Sequence, residues 1–462
     1  MKKASLKGLS KRFIAIITII VIIVAAVAIY YLTRPVPKKV ITFWHLYTPG
    51  TPREQWLLQA IDEFEREHPD VDIEPTYVEN EVFKRQIVTA MSAGNPPDIF
   101  QNWGGYMYLF RFVMADMVVD LTPYMERESP YIRGVKWKDT FLPGRIAQVT
   151  YKGKIYAVPF VVMFEPIIYN KALFEKYGIP EPTDNWTWDD FVEIVQQIKE
   201  KAGPDGKYPI ALGNRDSWTG LIYIMNFVLR SAGADYLDKS MVDPNVKLNS
   251  EAVVKAMEYV QKIVDLDPFQ PGWQGMSDTD VVPYMANEIT FMEAMGTWLF
   301  DQVSALNETT GSNLRVVGWP IIPGSIDTVN IIGGGDAYAI AKTCKYVDEA
   351  VAFLQYLTSP TVQKRQLLTP TIQLVPGIKL EYLGLTETER NSIAPGVKRQ
   401  IELISKATYI GNYWDQGPPP QIGKVSIEIV QPLFSKTMTP QEAANKLEEA
   451  RQEWLKEAGL VE

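Results

Sequence analysis

The chain has 462 residues, of which 46% are hydrophobic, 22% are charged and 11% are aromatic. This composition is typical of a globular protein with more than one hydrophobic core, and it excludes disordered, fibrous and disulfide-stapled miniature folds. The formal net charge is −9, but residues 1–39 carry eight basic side chains and no acidic one, so the remainder is near −17 and is not expected to bind nucleic acid.

The first predicted element is a helix over residues 13–32. This run of 20 uncharged residues is long enough to cross about 30 Å of hydrocarbon, and five basic residues precede it while three follow it. The pattern predicts a membrane anchor with a cytoplasmic N-terminus. The same run also fits a cleaved signal peptide, because Ala26-Val27-Ala28 has the small-x-small pattern of a cleavage site. Both interpretations place residues 40–462 outside the cytoplasm.

The body begins with strands and helices in alternation. Val40–Trp44 is short, β-rich and bounded by prolines, which predicts a strand. Apolar residues at spacings of three and four from Trp56 to Phe64 predict a helix that ends before Pro69. A strand, a second helix capped by Gly94 and a third strand follow before residue 101. This order predicts a mostly parallel sheet with helices on both faces and ligand sites beyond the carboxyl ends of its strands.

Later segments continue the α/β pattern. Residues 154–170 form a β-rich stretch that Pro159 and Pro166 interrupt, as expected of a strand that passes between lobes. A helix is predicted from Thr187 to Ala202, because Thr187 and Asp190 have the spacing of a capping box. Further helices are predicted near residues 217–232, 250–264, 346–358 and 440–456. No repeat of fixed period is present, which argues against solenoids and propellers.

Several motifs resemble a known family when they are taken in chain order. They are AMSAGNPPDIF at 90–100, GKIYAVP at 153–159, IYNK at 168–171 followed by WDDF at 188–191, NEITFMEAMGTW at 287–298 and GGGDAYAI at 333–340. In this order they resemble the sugar-binding branch of the extracellular solute-binding proteins of ABC importers, with the maltose/maltodextrin-binding type as the nearest architecture. The resemblance covers nearly all of residues 40–462. The chain departs from lipoprotein members because it lacks their N-terminal cysteine.

The resemblance implies a two-lobed α/β fold with hinge strands between the lobes and one ligand in the cleft. The first lobe would contain residues 40–158 and 335–385, and the second would contain residues 159–334 and 386–462. The chain would cross between them near 157–160, 333–336 and 385, with residues 1–39 as the signal or anchor segment and linker. The implied partners are the permease subunits of an ABC transporter, for a monomeric receptor at the cell surface or in the periplasm. No cofactor is implied.

The candidate ligand-binding residues are mostly aromatic side chains in loop-like surroundings. A tryptophan face stacks on a pyranose ring, and neighbouring polar side chains bond its hydroxyl groups. The predicted residues are Trp44, His45, Asn102, Trp103, Trp218, Trp273, Trp298, Asp336, Tyr413 and Trp414. Of these, Trp103, Trp298 and Trp414 fall in segments that form the cleft in the family resembled. The competing interpretation is packing, since most tryptophans belong to cores and His45 is as readily a structural histidine.

Two further features lie near the predicted crossings. Glu165 fits either a group that accepts hydrogen bonds from ligand hydroxyls or a surface carboxylate beside the hinge. The run Gly333-Gly334-Gly335 lacks the spacing of a dinucleotide-binding loop, and Asp336 would repel a phosphate. The run therefore predicts a bend of the backbone at the hinge or a close approach of the backbone to the ligand. An acidic sugar would need a basic partner, for which Arg111 or Arg215 is the candidate.

The small number of cysteine and histidine residues limits which disulfides, metal sites and catalytic sites the chain can form. Cys344 is the only cysteine, and His45 and His68 are the only histidines, so we expect no intramolecular disulfide and no structural zinc site. No serine lies in a G-x-S-x-G motif, and both histidines come too early for a hydrolase of that type, so an enzyme is not expected. The alternatives left open are a binding protein for a non-sugar ligand, a carbohydrate-active enzyme with two carboxyl groups, and an anchored structural protein.

Overall fold

A computed structural model of the chain describes residues 18–24, 38–234, 236, 239–240 and 243–461. Residues 18–24 are helical, and the aliphatic side chains of residues 19–24 are exposed. The rest of the helix predicted over 13–32, including the possible cleavage site at Ala28, lies outside the described residues. In the described part of the chain, no helix is both long and apolar enough to cross a membrane.

The strands are named in chain order. They are β1 Lys39–His45, β2 Val71–Tyr77, β3 Ile99–Asn102, β4 Glu128–Ser129, β5 Ile132–Lys136, β6 Thr150–Tyr151, β7 Lys154–Ile155, β8 Val158–Pro159, β9 Val161–Phe164, β10 Ile167–Asn170, β11 Tyr208–Ala211, β12 Thr290–Ala294, β13 Leu314–Val317, β14 Ile331–Gly334, β15 Ala337–Ile340, β16 Val375–Pro376 and β17 Ile410–Gly411.

The α-helices from residue 38 onwards are also named in chain order. They are α1 Pro52–Glu67, α2 Asn80–Ser92, α3 Arg111–Met114, α4 Thr122–Met125, α5 Pro143–Gln148, α6 Lys171–Tyr177, α7 Trp188–Lys201, α8 Trp218–Ala232, α9 Glu251–Asp265, α10 Asp278–Ala286, α11 Leu299–Leu306, α12 Glu308–Asn313, α13 Val347–Leu357, α14 Pro360–Leu368, α15 Glu387–Ser392, α16 Pro395–Lys406, α17 Pro420–Glu428, α18 Val430–Phe434 and α19 Pro440–Glu457. Gly105–Phe110 forms a π-helical turn, and Trp137–Thr140, Gly203–Asp205 and Leu380–Leu383 form 3₁₀ turns.

The predicted helices and strands before residue 101 are confirmed, as are the later helices. Helix α1 begins after Thr51, whose side chain accepts a hydrogen bond from the Glu54 N–H, and Pro52 occupies its first turn. The capping boxes at the starts of α7 and α19 form as the sequence predicts. Local side-chain chemistry therefore determines where these helices begin.

The two main sheets differ from the predicted parallel arrangement. The first sheet has the order β2-β1-β3-β15-β8, in which β2, β1 and β3 are parallel while β15 runs antiparallel to both β3 and β8. In the second sheet, of order β11-β12-β10-β13, only β11 and β12 are parallel. The prediction of a mostly parallel sheet is therefore wrong beyond the first three strands. Strands β10 and β15 each follow a crossing between the lobes. Because the chain does not enter them through a helical crossover, they can run antiparallel to the neighbouring strands.

The chain forms two hydrophobic cores, which define the two lobes of this mixed α/β fold. The first core draws on residues between 41 and 163 and between 337 and 397, and the second on residues between 167 and 332 and between 413 and 450. A small sheet of order β16-β9-β14-β17 lies where the chain passes between them. The lobe boundaries near 158 and 335 remain predictions. The third crossing was predicted near residue 385, but the last strand of the hinge sheet, β17, begins at residue 410, 25 residues later.

The glycine run at the second crossing allows two backbones to approach closely. A Cβ atom on Gly333 would lie 2.5 Å from the Met163 carbonyl oxygen, and one on Gly335 would lie 2.3 Å from the Val161 carbonyl oxygen. Gly335 also has a φ of +120°, which other residues rarely adopt. The run thus lets two strands of the hinge approach closely, which the sequence did not predict, and the close approach to a ligand remains a prediction.

Replacing Gly335 with alanine is expected to lower the free energy of unfolding by at least about 2 kcal/mol, because the new Cβ meets backbone and the backbone conformation is strained. Urea unfolding measures this change. Gly144→Ala is the matched control, since no atom lies within 4 Å of its Cβ position. Equal stability of the two variants would contradict the prediction.

Candidate ligand-binding site

A cavity lies between the two lobes, below the hinge strand β9. The space between its lining residues, including the open mouth, is about 1000 Å³. The first lobe contributes residues that follow β1 and β3 together with one face of α2, and the second lobe contributes the starts of α8, α10 and α11. Its charged and aromatic lining residues are Arg53, Tyr77, Glu79, Lys84, Trp103, Glu165, Trp218, Asp278, Trp298, Asp301, Asp336, Tyr413 and Asp415.

An aromatic wall is formed by the side chains of Trp218 and Trp298. Their ring centroids are 6.1 Å apart, with the rings inclined at 44°. The Trp298 ring packs against both lobe cores, so it bridges the two lobes. A Cβ atom on Gly296 would lie 1.8 Å from this ring, so the glycine provides the space that the ring occupies. The wall is thus fixed in place by packing, as a stacking surface for a ligand requires.

A buried charged cluster occupies the hinge end of the cavity. Asp336 Oδ1 accepts a hydrogen bond of 2.6 Å from Gln101 Nε2, and Arg53 Nη2 lies 3.8 Å from Asp336 Oδ2. The Arg53 guanidinium also lies over the Tyr47 ring, 4.0 Å from its centroid. Burial raises the pKa of Asp336, and this effect exceeds the opposing attraction of Arg53 and Arg145. The long ion pair therefore only partly offsets the loss of water from the carboxylate.

Asp301 brings a second carboxyl group to the cluster from the other lobe. It lies in the first turn of α11 and is 3% exposed. Burial raises the pKa of Asp301 to about 6, while the charge of Arg53 opposes this rise. Its Oδ1 atom has no hydrogen-bond partner in the described part of the chain. Arg53 of the first lobe is thus attracted to carboxyl groups of both the hinge and the second lobe.

Replacing Asp301 with asparagine is expected to change stability in a pH-dependent way. Because the folded pKa is about 6 and the ordinary value is 3.8, the folded wild type binds more protons than the unfolded chain between these values. Its unfolding free energy therefore falls, relative to the variant, as the pH rises from about 4 to about 6. Urea unfolding of both proteins at pH 4, 5, 6 and 7 measures the difference. A difference that is constant over this range would contradict the prediction.

A second polar cluster lies beside the aromatic wall. Lys84 Nζ forms an ion pair of 2.7 Å with Glu81, lies 3.9 Å from Asp415 Oδ2 and lies 5.8 Å from the centre of the Trp218 ring. Burial raises the pKa of Glu165 well above its ordinary value, and Asp415 adds to the rise. Within the described residues, neither Glu165 Oε2 nor the Tyr413 hydroxyl has a hydrogen-bond partner. These groups suit a ligand with several hydroxyl groups.

Five of the predicted site residues line the cavity: Trp103, Trp218, Trp298, Asp336 and Tyr413. The other five are not among its lining residues: Trp44, His45, Asn102, Trp273 and Trp414. Of the predicted residues, only the first group therefore belongs to the candidate site.

Trp44, His45 and Asn102 lie at the ends of strands near the cavity, but local contacts occupy them. The Trp44 ring packs edge-on against Phe83. His45 is buried, its Nδ1 accepts a hydrogen bond from the Tyr47 N–H, and burial lowers its pKa to about 4. The Asn102 side chain accepts a hydrogen bond from the Gly104 N–H. These contacts match the structural role that the sequence left open for His45.

Trp273 and Trp414 belong to the second lobe. Trp273 packs against Phe269 and Phe434 and lines a separate surface pocket. Trp414 is buried in the core of that lobe, although its neighbours Tyr413 and Asp415 reach the cavity. Adjacent side chains of this loop point to opposite sides. The sequence around Trp414 therefore identifies the loop, but it does not show which side chain faces the cavity.

Several cavity residues have no clear signal in the sequence. Arg53, Lys84 and Asp301 line the cavity from helices whose sequence patterns are ordinary, and Asp415 lines it from the turn after Trp414. Arg53 could have been predicted from its position in the first turn of the helix that follows β1, because ligand sites in such sheets lie beyond the ends of the strands. Glu165 is buried and lines the cavity, which excludes the surface alternative.

The basic residues considered for an acidic sugar lie elsewhere. Arg215 is exposed and pairs with Asp216 and Asp280, and the Arg111 guanidinium lies over the Phe112 ring. Neither residue lines the cavity. Across the described residues, no group of three or more histidine, cysteine or carboxylate side chains is arranged to hold a metal ion.

Comparison with known proteins gives related sequences and structures. The family described as "Bacterial extracellular solute-binding protein" matches residues 48–364. The multiple sugar-binding protein of Streptococcus mutans is 24% identical over 377 residues, which cover 78% of this chain and 79% of that protein.

Solved structures resemble the fold over nearly their whole length. A structure reported with xylan utilization by the thermophilic bacterium Caldanaerobius polysaccharolyticus has a TM-score of 0.78 and 27% identity, and the match covers 89% of this chain and 99% of that one. A chitin oligosaccharide binding protein has a TM-score of 0.76 and 21% identity, with 90% and 98% of the two chains covered. These similarities support the two-lobed fold described above.

Proposed function

Because the chain belongs to the bacterial extracellular solute-binding protein family, we propose that it captures a mono- or oligosaccharide between its lobes and delivers it to the permease of an ABC transporter. The observation that carries this proposal is the cavity in which Trp218 and Trp298 form an aromatic wall near the carboxyl groups of Asp301 and Asp336. Tryptophan faces suit the C–H face of a pyranose, and buried carboxyl groups suit its hydroxyls. The sugar-binding relatives support the same ligand class.

The charges of the cavity favour an uncharged sugar. Six carboxyl groups line it, from Glu79, Glu165, Asp278, Asp301, Asp336 and Asp415, against the two cations Arg53 and Lys84. A ligand carboxylate would therefore be repelled by those carboxyl groups that are ionised, and both cations among the described lining residues already lie near protein carboxylates. We expect neutral saccharides to bind and their uronic acid counterparts to be rejected.

Ligand binding would be coupled to closure of the lobes. Trp298 and Asp301 come from the second lobe, whereas Arg53 and Trp103 come from the first, so a ligand in the cavity contacts both. A ligand stabilises the closed arrangement only by its greater affinity for that arrangement. The closed monomer would then present a surface that the permease subunits recognise.

We also propose that residues 13–32, if they are not cleaved, attach the receptor to the membrane. The described part of this segment supports the proposal, because the six consecutive aliphatic residues 19–24 are helical and exposed. Exposed apolar runs of this kind mark contacts with lipid or protein. Fractionation of cells that express the full chain tests the proposal, and an uncleaved chain found in the soluble fraction would contradict it.

A receptor is favoured over an enzyme because the family is one of solute-binding proteins. The alternative ligand is a small molecule other than a sugar, for which the same cleft would serve. A carbohydrate-active enzyme would use two of the buried carboxyl groups and would release shortened products. Incubation of the protein with each bound saccharide, followed by chromatography, separates a receptor from an enzyme.

A thermal-unfolding screen of the full chain tests the proposed ligand class. The panel contains neutral mono- and oligosaccharides, the matching uronic acids, amino acids and short peptides. A ligand at 100 times its dissociation constant adds about 2.7 kcal/mol to the stability of the folded state, which raises the unfolding temperature measurably. We expect a rise with one neutral saccharide series only. A rise with peptides or amino acids, or with uronic acids alone, would overturn the carbohydrate assignment made here.

A further inference from the structure

Arg145 is a fully buried cation whose hydrogen bonds go to the hinge. It lies on α5 in the first lobe and is 0% exposed. Its Nη2 donates to the carbonyl oxygens of Gly335 at 2.7 Å and Asp336 at 3.2 Å. Burying a guanidinium is costly unless its donors are satisfied. Here the Nη2 donors are satisfied by the backbone that leads from one lobe to the other, whereas Nε has no hydrogen-bond partner among the described residues.

Gln148, on the same helix, binds a further residue of this crossing. Arg145 Nη1 donates to Gln148 Oε1, and Gln148 Nε2 donates to the Gly333 carbonyl oxygen at 3.2 Å. One short helix of the first lobe thus binds three carbonyl groups between residues 333 and 336. The missing side chain of Gly334 is part of the arrangement, because a Cβ atom there would lie 3.1 Å from Arg145 Nη1.

The crossing leads directly into the candidate site. The Asp336 carbonyl is held by Arg145 and also accepts a hydrogen bond from the Phe160 N–H, while the Asp336 carboxyl group bonds to Gln101 in the cavity. The backbone path at Asp336 therefore determines where its carboxyl group lies. On the other side, Gly333 and Gly334 pair with Phe164 and Met163 of β9. Gly333 and Gly334 thus belong to the hinge sheet, and the next two residues, Gly335 and Asp336, line the cavity.

We propose that Arg145 is a positioning residue that binds the second interlobe crossing to the first lobe, and thereby sets both the lobe orientation and the place of Asp336. Neither the family membership nor the sugar-binding relatives assign this residue a role. The importance of lobe orientation for ligand capture depends on the function proposed above. The hinge contact itself does not, so it can be tested without any ligand.

The test compares Arg145→Gln with a matched buried arginine. Arg451 is also 0% exposed and bonds backbone carbonyls of the second lobe, but it pairs with Glu448 and lies far from the crossing in sequence. Arg451→Gln therefore controls for the general cost of losing a buried guanidinium. Both substitutions are made in the full chain with Cys344→Ser, and spin labels are placed at the exposed positions Gln59 and Glu258, one in each lobe.

Two measurements on the unliganded protein decide the matter. We expect Arg145→Gln to broaden the distance distribution between the labels and to speed amide exchange of residues 333–337 about tenfold or more, the factor for one charge-assisted hydrogen bond. Arg451→Gln is expected to leave both readouts unchanged. Arg145→Lys, which keeps the charge and part of the donor set, is expected to lie closer to the wild type.

Equal behaviour of the Arg145→Gln and Arg451→Gln variants in both readouts would overturn the proposal. If Arg145→Gln does not fold, Gln148→Leu replaces it, because that variant removes the hydrogen bonds of Gln148 to Gly333 and from Arg145 Nη1 but leaves Arg145 in place to bond the carbonyl groups of Gly335 and Asp336. An unchanged exchange rate of residue 333 and its neighbours in Gln148→Leu would likewise overturn the proposal. Failure of every saccharide to bind would refute the function proposed above and would not affect these outcomes.

Discussion

Replacing Trp298 with alanine is expected to weaken saccharide binding about a hundredfold, which corresponds to roughly 2.7 kcal/mol. The Trp298 ring forms the wall with Trp218, and it packs against the cores of both lobes. Its loss removes a stacking surface and also a contact between the lobes. Isothermal titration with the saccharide identified by the unfolding screen measures the change in dissociation constant.

Two further variants make this prediction specific. Trp273→Ala is the control, because Trp273 is a half-buried tryptophan of the same lobe that lines a different pocket. Its effect on binding is expected to be less than about twofold. Gly296→Ala leaves the Trp298 ring intact but displaces it, since the new Cβ would lie 1.8 Å from the ring. Wild-type affinity in Gly296→Ala would show that the position of the ring is unimportant for binding.

Replacing Arg53 with methionine is expected to lower the free energy of unfolding at pH 7 by about 3–5 kcal/mol. The substitution leaves Asp336 and Asp301 buried without the cation that attracts them. The loss of one partner is costly because the remaining carboxylates stay desolvated. Urea unfolding measures the effect, and the double variant Arg53→Met/Asp336→Asn is expected to recover part of it.

An exposed ion pair provides the control for Arg53. Arg66 pairs with Asp62 on the surface of the same helix, with side chains that are 67% and 73% exposed. Arg66→Met is therefore expected to change the stability by less than about 1 kcal/mol. A loss in Arg53→Met that is no larger than this, or a double variant without any recovery, would contradict the account of the buried cluster.

The fold was predictable where local patterns determine it. The apolar stripe from Trp56 to Phe64 and the capping box at Thr187 specify helices through contacts within a few residues, and the structure has both. The sheets were less predictable, because the antiparallel entry of β15 depends on a crossing more than 170 residues after the first. Strand direction at such a crossing is a property of tertiary structure that a local pattern does not contain.

The candidate site was predictable only in part, for the same reason. Tryptophans near glycine indicated loops, and of these Trp103 and Trp298 do line the cavity; Trp218 lines it from the start of a helix. The charged cluster was missed because Arg53 and Asp336 are 283 positions apart and meet only in the folded tertiary structure. For Trp414 the sequence predicted the correct loop but the wrong side chain, since Tyr413 and Asp415 reach the cavity while Trp414 packs in the core.

The crystal structure of the protein with its bound saccharide tests the central claim most directly. We predict a pyranose ring within about 4 Å of the Trp298 face, with hydroxyl groups within hydrogen-bond distance of Asp301 and Asp336. A saccharide bound elsewhere, for example in the surface pocket beside Trp273, would contradict the assignment of the interlobe cavity as the ligand-binding site.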